Sequence, residues 1–140
     1  IPSGAVINSA YLSLYSHDSP GLGSHSITSG SNESVLSRIT SSWEENSVTW
    51  NNQPTTTTEN QVFLLESSSS TEDYLNIDVT DLVLDMIADS ANSHGFLIKL
   101  LTEQHYRSLV FAASGHSDSD LHPKLEVTYT ETIQNNDRFK

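Results

Sequence analysis

Ala10-Tyr-Leu-Ser-Leu-Tyr15 alternates apolar and non-core positions without a break. Successive side chains of an extended chain point to opposite faces, so Ala10, Leu12 and Leu14 share one side and Tyr11, Ser13 and Tyr15 the other. This is the pattern of a half-buried strand, and it recurs down the chain. Strands are expected at about residues 9–16, 34–40, 61–66, 74–79, 95–101, 107–113 and 123–130. Their inward positions make Leu12, Leu14, Leu75, Ile77, Val79, Ile98, Leu125 and Val127 the expected core. The period switches once, after Thr80. Leu82, Val83, Met86 and Ile87 recur at helical spacing behind the cap-type residues Asp78 and Thr80, which predicts one short helix near 81–88. Short strands separated by turn clusters make an all-β, antiparallel β-sandwich with that single helix, because two facing sheets are needed to bury the alternating apolar sets.

The 140 residues fit one domain and can bury a core without disulfides, so the lack of cysteine says little about compartment. Serine and threonine number 24 and 13, and six Lys and Arg face eighteen acids, for a net charge of −12. Such a surface opposes nucleic acid and anionic lipid, which require a positive face. It suits calcium, neutral polysaccharide or plain solubility. No apolar run approaches the length of a membrane span. The chain opens on Ile1 rather than Met, and a processed form or a fragment is the expectation. Ser16 to Asn32, with Pro20 and glycines at 21, 23 and 30, reads as a long loop or irregular hairpin, and the Thr55–Thr58 and Ser67–Ser70 tracts as flexible polar segments.

Four further stretches stand in order: Ser41-Ser-Trp-Glu-Glu-Asn-Ser-Val-Thr-Trp-Asn-Asn-Gln-Pro54, Tyr74-Leu-Asn-Ile-Asp-Val-Thr80, Asn92-Ser-His-Gly-Phe-Leu-Ile98 and His122-Pro-Lys-Leu-Glu-Val-Thr-Tyr129. Together they resemble the DNRLRE-type β-jelly-roll domains, a group that includes carbohydrate-binding module family 96. The resemblance covers residues 1–130 as a single domain and leaves 131–140 as a polar C-terminal tail. It implies jelly-roll topology and a non-catalytic role. It also implies an N-terminally incomplete domain, since relatives usually carry strands before the segment that opens this chain. Those strands would come from upstream sequence or from a neighbouring subunit by strand donation.

Chemistry-bearing motifs are few. No nucleophile elbow, P-loop or dinucleotide fingerprint occurs, and no Ser, His and Asp spacing singles out a triad, so an enzyme is not expected. Trp43 and Trp50, flanked by Asn51, Asn52 and Gln53, could stack on a sugar ring while amides bond its hydroxyls. Tyr106 and Arg107 form a second exposed candidate. Both tryptophans belong to the shared motif, however, and loop anchoring is the competing role. For an acidic polysaccharide such as alginate, which the family resemblance implies, the available cations are Arg38, Lys99, Arg107, Lys124, Arg138 and Lys140. His116-Ser-Asp-Ser-Asp-Leu-His122, if extended, would align two imidazoles and two carboxylates on one face. Asp118 or Asp120 with backbone carbonyls could hold Ca2+, and a solvated loop is the competing reading. Asn32-Glu-Ser34 is an N-glycosylation sequon. The expected function is a non-catalytic extracellular or cell-surface module that binds polysaccharide or attaches to surfaces. A structural subunit of a fibre or adhesin, built from copies of itself or adjacent domains by strand donation, is the alternative.

Overall fold

The structure, a computed structural model, describes residues 1–2, 4–17 and 23–131. The turn residues Pro20 and Gly21 and the tail from residue 132 lie outside the described residues. In chain order the elements are β1 (Val6–Leu14), β2 (Ser26–Ile27), β3 (Ser34–Arg38), β4 (Val62–Leu64), β5 (Tyr74–Asp78), α1 (Thr80–Ala88), β6 (Phe96–Leu100), β7 (Arg107–Ser108) and β8 (Lys124–Thr130). Two antiparallel three-stranded sheets result, ordered β5-β1-β8 and β4-β3-β6, with β2 and β7 forming a short two-stranded ribbon. The protein is thus mostly β with one short helix.

Alternation in β1 does what its spacing predicts. Ile7, Ala10, Leu12 and Leu14 enter one hydrophobic cluster with Leu36 of β3, Leu64 of β4, Ile77 of β5, and Val79, Leu82 and Val83 at the start of α1. Both sheets and the helix therefore share one core. Truncating a fully enclosed member such as Leu36 to alanine would cost about 2–5 kcal/mol through lost burial and a residual cavity. The helix begins at Thr80, whose hydroxyl accepts the Ala10 N–H at 2.9 Å and ties it to the sheet. Hydrogen bonds from the Thr80 hydroxyl, then from its N–H, hold the Asp78 carboxyl below its ordinary range.

Two expected core leucines are exposed, for different reasons. Leu75 is 52% exposed because β5 is not in simple alternation. Ile77 pairs with Leu12, but Tyr74 rather than Leu75 pairs with Leu14. Asn76 between them has φ of 54° and absorbs one residue as a bulge, which sends Leu75 outward and Tyr74 inward. Leu125 is 47% exposed although its parity is correct: it pairs with Leu12 and faces the core side. Among the described residues, the core side of β8 is left partly open at Leu125. Ile98 and Val127 are half-buried and pack against the core.

Other segments also depart from expectation. The strand expected over 107–113 shrinks to β7 and a single bridge between Ser16 and Phe111, and the loop expected over 16–32 contains β2. Ser67, expected in a flexible tract, is buried. Arg38, counted among the available cations, is only 5% exposed. Its Nη1 donates to the Asn92 carbonyl and the Ser93 hydroxyl, and carboxylate oxygens of Glu59 and Asp89 each lie 3.8 Å from its guanidinium. A buried cation so compensated serves the fold rather than a surface ligand.

Candidate functional site

A groove of about 810 Å3 runs along β6, the outermost strand of its sheet. One wall carries Val48, Thr49, Trp50 and Gln53, around the 3-10 turn Trp50–Asn52; the other carries Glu103, Gln104 and Arg107, with Leu109 and Phe111 also lining it. Trp50 is 66% exposed, and the Lys99 ammonium sits 5.6 Å from its ring centroid. That distance is within cation–π range, so the contact steadies an indole that otherwise stands in solvent.

The turn holding Trp50 is fixed by polar side chains. Asn52 Oδ1 accepts from the Thr49 N–H and from the Thr49 hydroxyl, and its Nδ2 donates to the Ser47 carbonyl at 2.9 Å. Gln53 Nε2 donates to the Trp50 carbonyl at 3.1 Å. Asn52 is thereby engaged in building the turn, while Asn51 is exposed beside it. Trp43 belongs elsewhere: its Nε1 donates to the His94 carbonyl at 2.9 Å, anchoring the loop before β6, and it does not line the groove. The structure therefore separates the two tryptophans into one anchor and one exposed ring beside Lys99.

Arg107 reaches the groove, but its guanidinium is largely occupied. Nε and Nη2 donate to the Ser29 carbonyl at 3.1 and 2.8 Å, and Nη1 to the Ser31 carbonyl at 3.3 Å. Gly30 lies under it with φ of 125°, and a Cβ there would collide with the Arg107 guanidinium. Tyr106 is 74% exposed and outside the groove lining, with its carbonyl accepting from the Ser26 hydroxyl.

Behind the groove stand two polar pins. Asn32 is fully buried: its Nδ2 donates to the Ser67 hydroxyl and the Ser108 carbonyl, each at 2.9 Å, and its Oδ1 accepts the Ser67 N–H at 2.8 Å. The sequon reading is corrected accordingly, since the nitrogen that would carry a glycan is inside the fold and committed. The second pin is His25, whose Nδ1 accepts the Val110 N–H and whose Nε2 donates to the Glu72 carbonyl, both at 2.9 Å. These bonds specify the tautomer. Its ring sits edge-on to Phe111 and Tyr74.

Residues 116–122 are not extended. His116 Nδ1 accepts the Asp118 N–H, the Asp118 carboxylate accepts the Asp120 N–H at the head of the 3-10 turn Ser119–Leu121, and His122 Nε2 donates to the His116 carbonyl. Three of the four side chains expected to share a face, those of His116, Asp118 and His122, are used within the loop instead. Among the described residues, no group of three or more His, Cys, Asp or Glu is placed to hold a metal ion.

Sequence reasoning found Trp50, Gln53 and Arg107 of the groove but missed Lys99, Glu103 and Gln104 as their neighbours, and Asn51 does not line it. A signal for Lys99 existed: alternation in Phe96-Leu-Ile-Lys-Leu100 puts Leu97 and Lys99 on the face opposite Ile98. Glu103 and Gln104 lie in an irregular segment, where no period points. No helix of the described residues is long and apolar enough to cross a membrane. Among curated proteins, none matches the chain. A family model does: residues 2–129 match it, and the chain belongs to carbohydrate-binding module family 96.

Proposed function

We propose that this chain is a non-catalytic, extracellular or cell-surface module that binds a polysaccharide along the β6 groove. The observation that carries this reading is Trp50, a solvent-facing indole on a turn held rigid by Asn52 and Gln53, at the wall of an open groove with polar side chains. Such a ring offers an apolar face to a pyranose without ordering cost, and Gln104, Glu103 and Lys99 stand within the same groove for its hydroxyls. Family membership supports it, since carbohydrate-binding modules of this kind are typically non-catalytic. A jelly-roll sandwich is the architecture proposed with it, supported by two antiparallel sheets sharing one core. Affinity electrophoresis in gels cast with a panel of polysaccharides tests the reading. Trp50→Ala should abolish retardation in the gel that retards the parent chain, with an unchanged melting temperature. Equal retardation of parent and variant would remove Trp50 from the site.

A second reading, a structural subunit of a fibre or adhesin completed by a donated strand, is favoured by the partly open core-side leucine of β8.

A further inference from the structure

Three side chains of β8 lie on the core face of their sheet. Leu125 pairs with Leu12, Val127 with Ala10 and Tyr129 with Ile7, all buried partners. Yet Leu125 and Tyr129 are 47% and 39% exposed and Val127 is half-buried. β8 is the last strand of its sheet, and among the described residues no backbone group pairs with its outer edge. Beside it an open cleft of about 550 Å3 separates Leu125 and Val127 from Ile1 and from the Ile87 end of α1. Ile1 and Ile87 are themselves 65% and 46% exposed. An edge with unpaired amides and a continuous apolar row on its core side is a template for one further strand.

We infer that the occupant is β8 of a second copy of this chain, paired antiparallel about a two-fold axis at Val127. Both sheets then merge into one, ordered β5-β1-β8-β8-β1-β5. The strand is self-complementary in this register. Leu125 stands opposite Tyr129 of the second copy and Val127 opposite Val127, all on the core face; Glu126 meets Thr128 and Lys124 meets Thr130 on the other. Two alternative registers are worse. Centring on Glu126 sets two carboxylates opposite each other, which is destabilising. Centring on Leu125 brings Pro123, which has no N–H, into the ladder and leaves Tyr129 unpaired.

Charge permits the approach here. The chain carries −12, but Lys124 to Thr130 holds one Lys and one Glu, paired at 3.0 Å, so this edge is locally neutral. The symmetry is closed, because the same residues meet themselves. The exposed Ile1 and Ile87 of both copies flank the seam on the core side, where they can cover the row that one copy leaves open. This pairing goes beyond sugar binding, which uses the β6 edge of the other sheet, and differs from strand donation in that neither copy gives up a strand.

Sedimentation velocity over a range of concentrations tests it. The parent chain should shift to twice its monomer mass as concentration rises, and Val127→Lys, which opposes two ammonium groups on the axis, should stay monomeric. Because Val127 also touches the core, a second variant guards against misfolding. The chain has no cysteine, so Val127→Cys introduces a single thiol whose copy lies directly across the axis, at a separation a disulfide can span. Under mild oxidation it should form a dimer far faster than Val6→Cys, an exposed position away from the axis. A parent chain that is monomeric throughout, one that forms open-ended oligomers, or equal cross-linking of the two thiol variants would each overturn the proposal. Polysaccharide retardation, measured separately, is expected to survive Val127→Lys.

Discussion

The outer strands β6 and β8 end their sheets in opposite ways. Beside β6, polar side chains converge from distant segments: the Asn52 turn, the Arg107 clamp on Ser29 and Ser31, and the buried Asn32 and His25 behind it. Beside β8 there is an apolar row and a cleft, with one surface ion pair. The difference lies in what each edge can receive. A groove whose walls are held by internal hydrogen bonds, with one exposed indole, keeps its shape without a ligand, so its frame does not have to be ordered on binding. An unpaired strand with apolar alternation on one face gains most from another strand. One edge of the molecule is built by hydrogen bonds, and the other leaves hydrophobic burial incomplete.

The sharpest way to break this comparison is Asn32→Ala. It would strand the buried Ser67 N–H, the Ser67 hydroxyl and the Ser108 carbonyl at once. Buried groups left unsatisfied cost about 1–3 kcal/mol each, and partial relaxation should leave a total on the order of 3 kcal/mol. Denaturant unfolding should show that loss, and a change within experimental error would mean that the groove does not depend on its polar pins. Gly30→Ala comes next. The added methyl would collide with the Arg107 guanidinium and occupy a backbone conformation with φ of 125°, so a loss of roughly 1–3 kcal/mol is expected. Arg107→Ala should lessen the penalty of the alanine at position 30, a coupling that a double-mutant cycle reads directly.

How much of this was legible in the sequence follows the same division. Period-2 alternation carries burial on a regular strand, so Leu12, Leu14 and Ile77 were readable, as was the helix from Leu82 and Val83. Leu75 was not, because the bulge at Asn76 reverses parity and depends on a positive φ that asparagine tolerates but does not announce. Leu125 was misread differently: parity reports which face a side chain is on, and whether anything covers that face is a matter of tertiary partners. At the candidate site, Trp50 and Arg107 stood out by residue type. Their roles did not, since the hydrogen bonds that occupy Arg107 and Asn52 link segments far apart or turns without a period. Asn32 shows the limit most plainly: the same three residues read as a glycan acceptor in sequence and as a buried pin in space.

Tyr74 sharpens the comparison through pH. It packs edge-on against Phe111, which lines the groove, and its hydroxyl donates to the Leu65 carbonyl at 2.9 Å. Burial, with the nearby Glu72 and Glu66 charges, pushes its pKa up to about 12. A phenol that ionises near pH 10 when unfolded and near 12 when folded favours the folded state below pH 10, and that contribution is lost between about pH 10 and 12. Tyr74→Phe should therefore cost about 1 kcal/mol at neutral pH, through the lost hydrogen bond. It should also flatten the alkaline fall in melting temperature. An identical alkaline profile in the variant would assign that fall to other groups.

The smallest effect is expected at the other edge. Leu12 and Leu125 are cross-strand partners on the same face of the same sheet, one buried and one half open. Leu12→Ala should cost about 2–5 kcal/mol, whereas Leu125→Ala, which gives up only partial burial, should cost less than about 1 kcal/mol in dilute solution. Concentration makes the pair informative. If two β8 strands meet at Val127, Leu125 is covered by the second copy, and its truncation removes contacts present only in the dimer. The destabilisation measured for Leu125→Ala should then grow as protein concentration rises, because association stabilises the parent chain by mass action and the variant less. Leu12→Ala, already buried within one copy, should show no comparable growth. Equal and concentration-independent penalties at the two positions would mean that the core side of β8 is covered within the single chain, and the contrast between the two edges would fail.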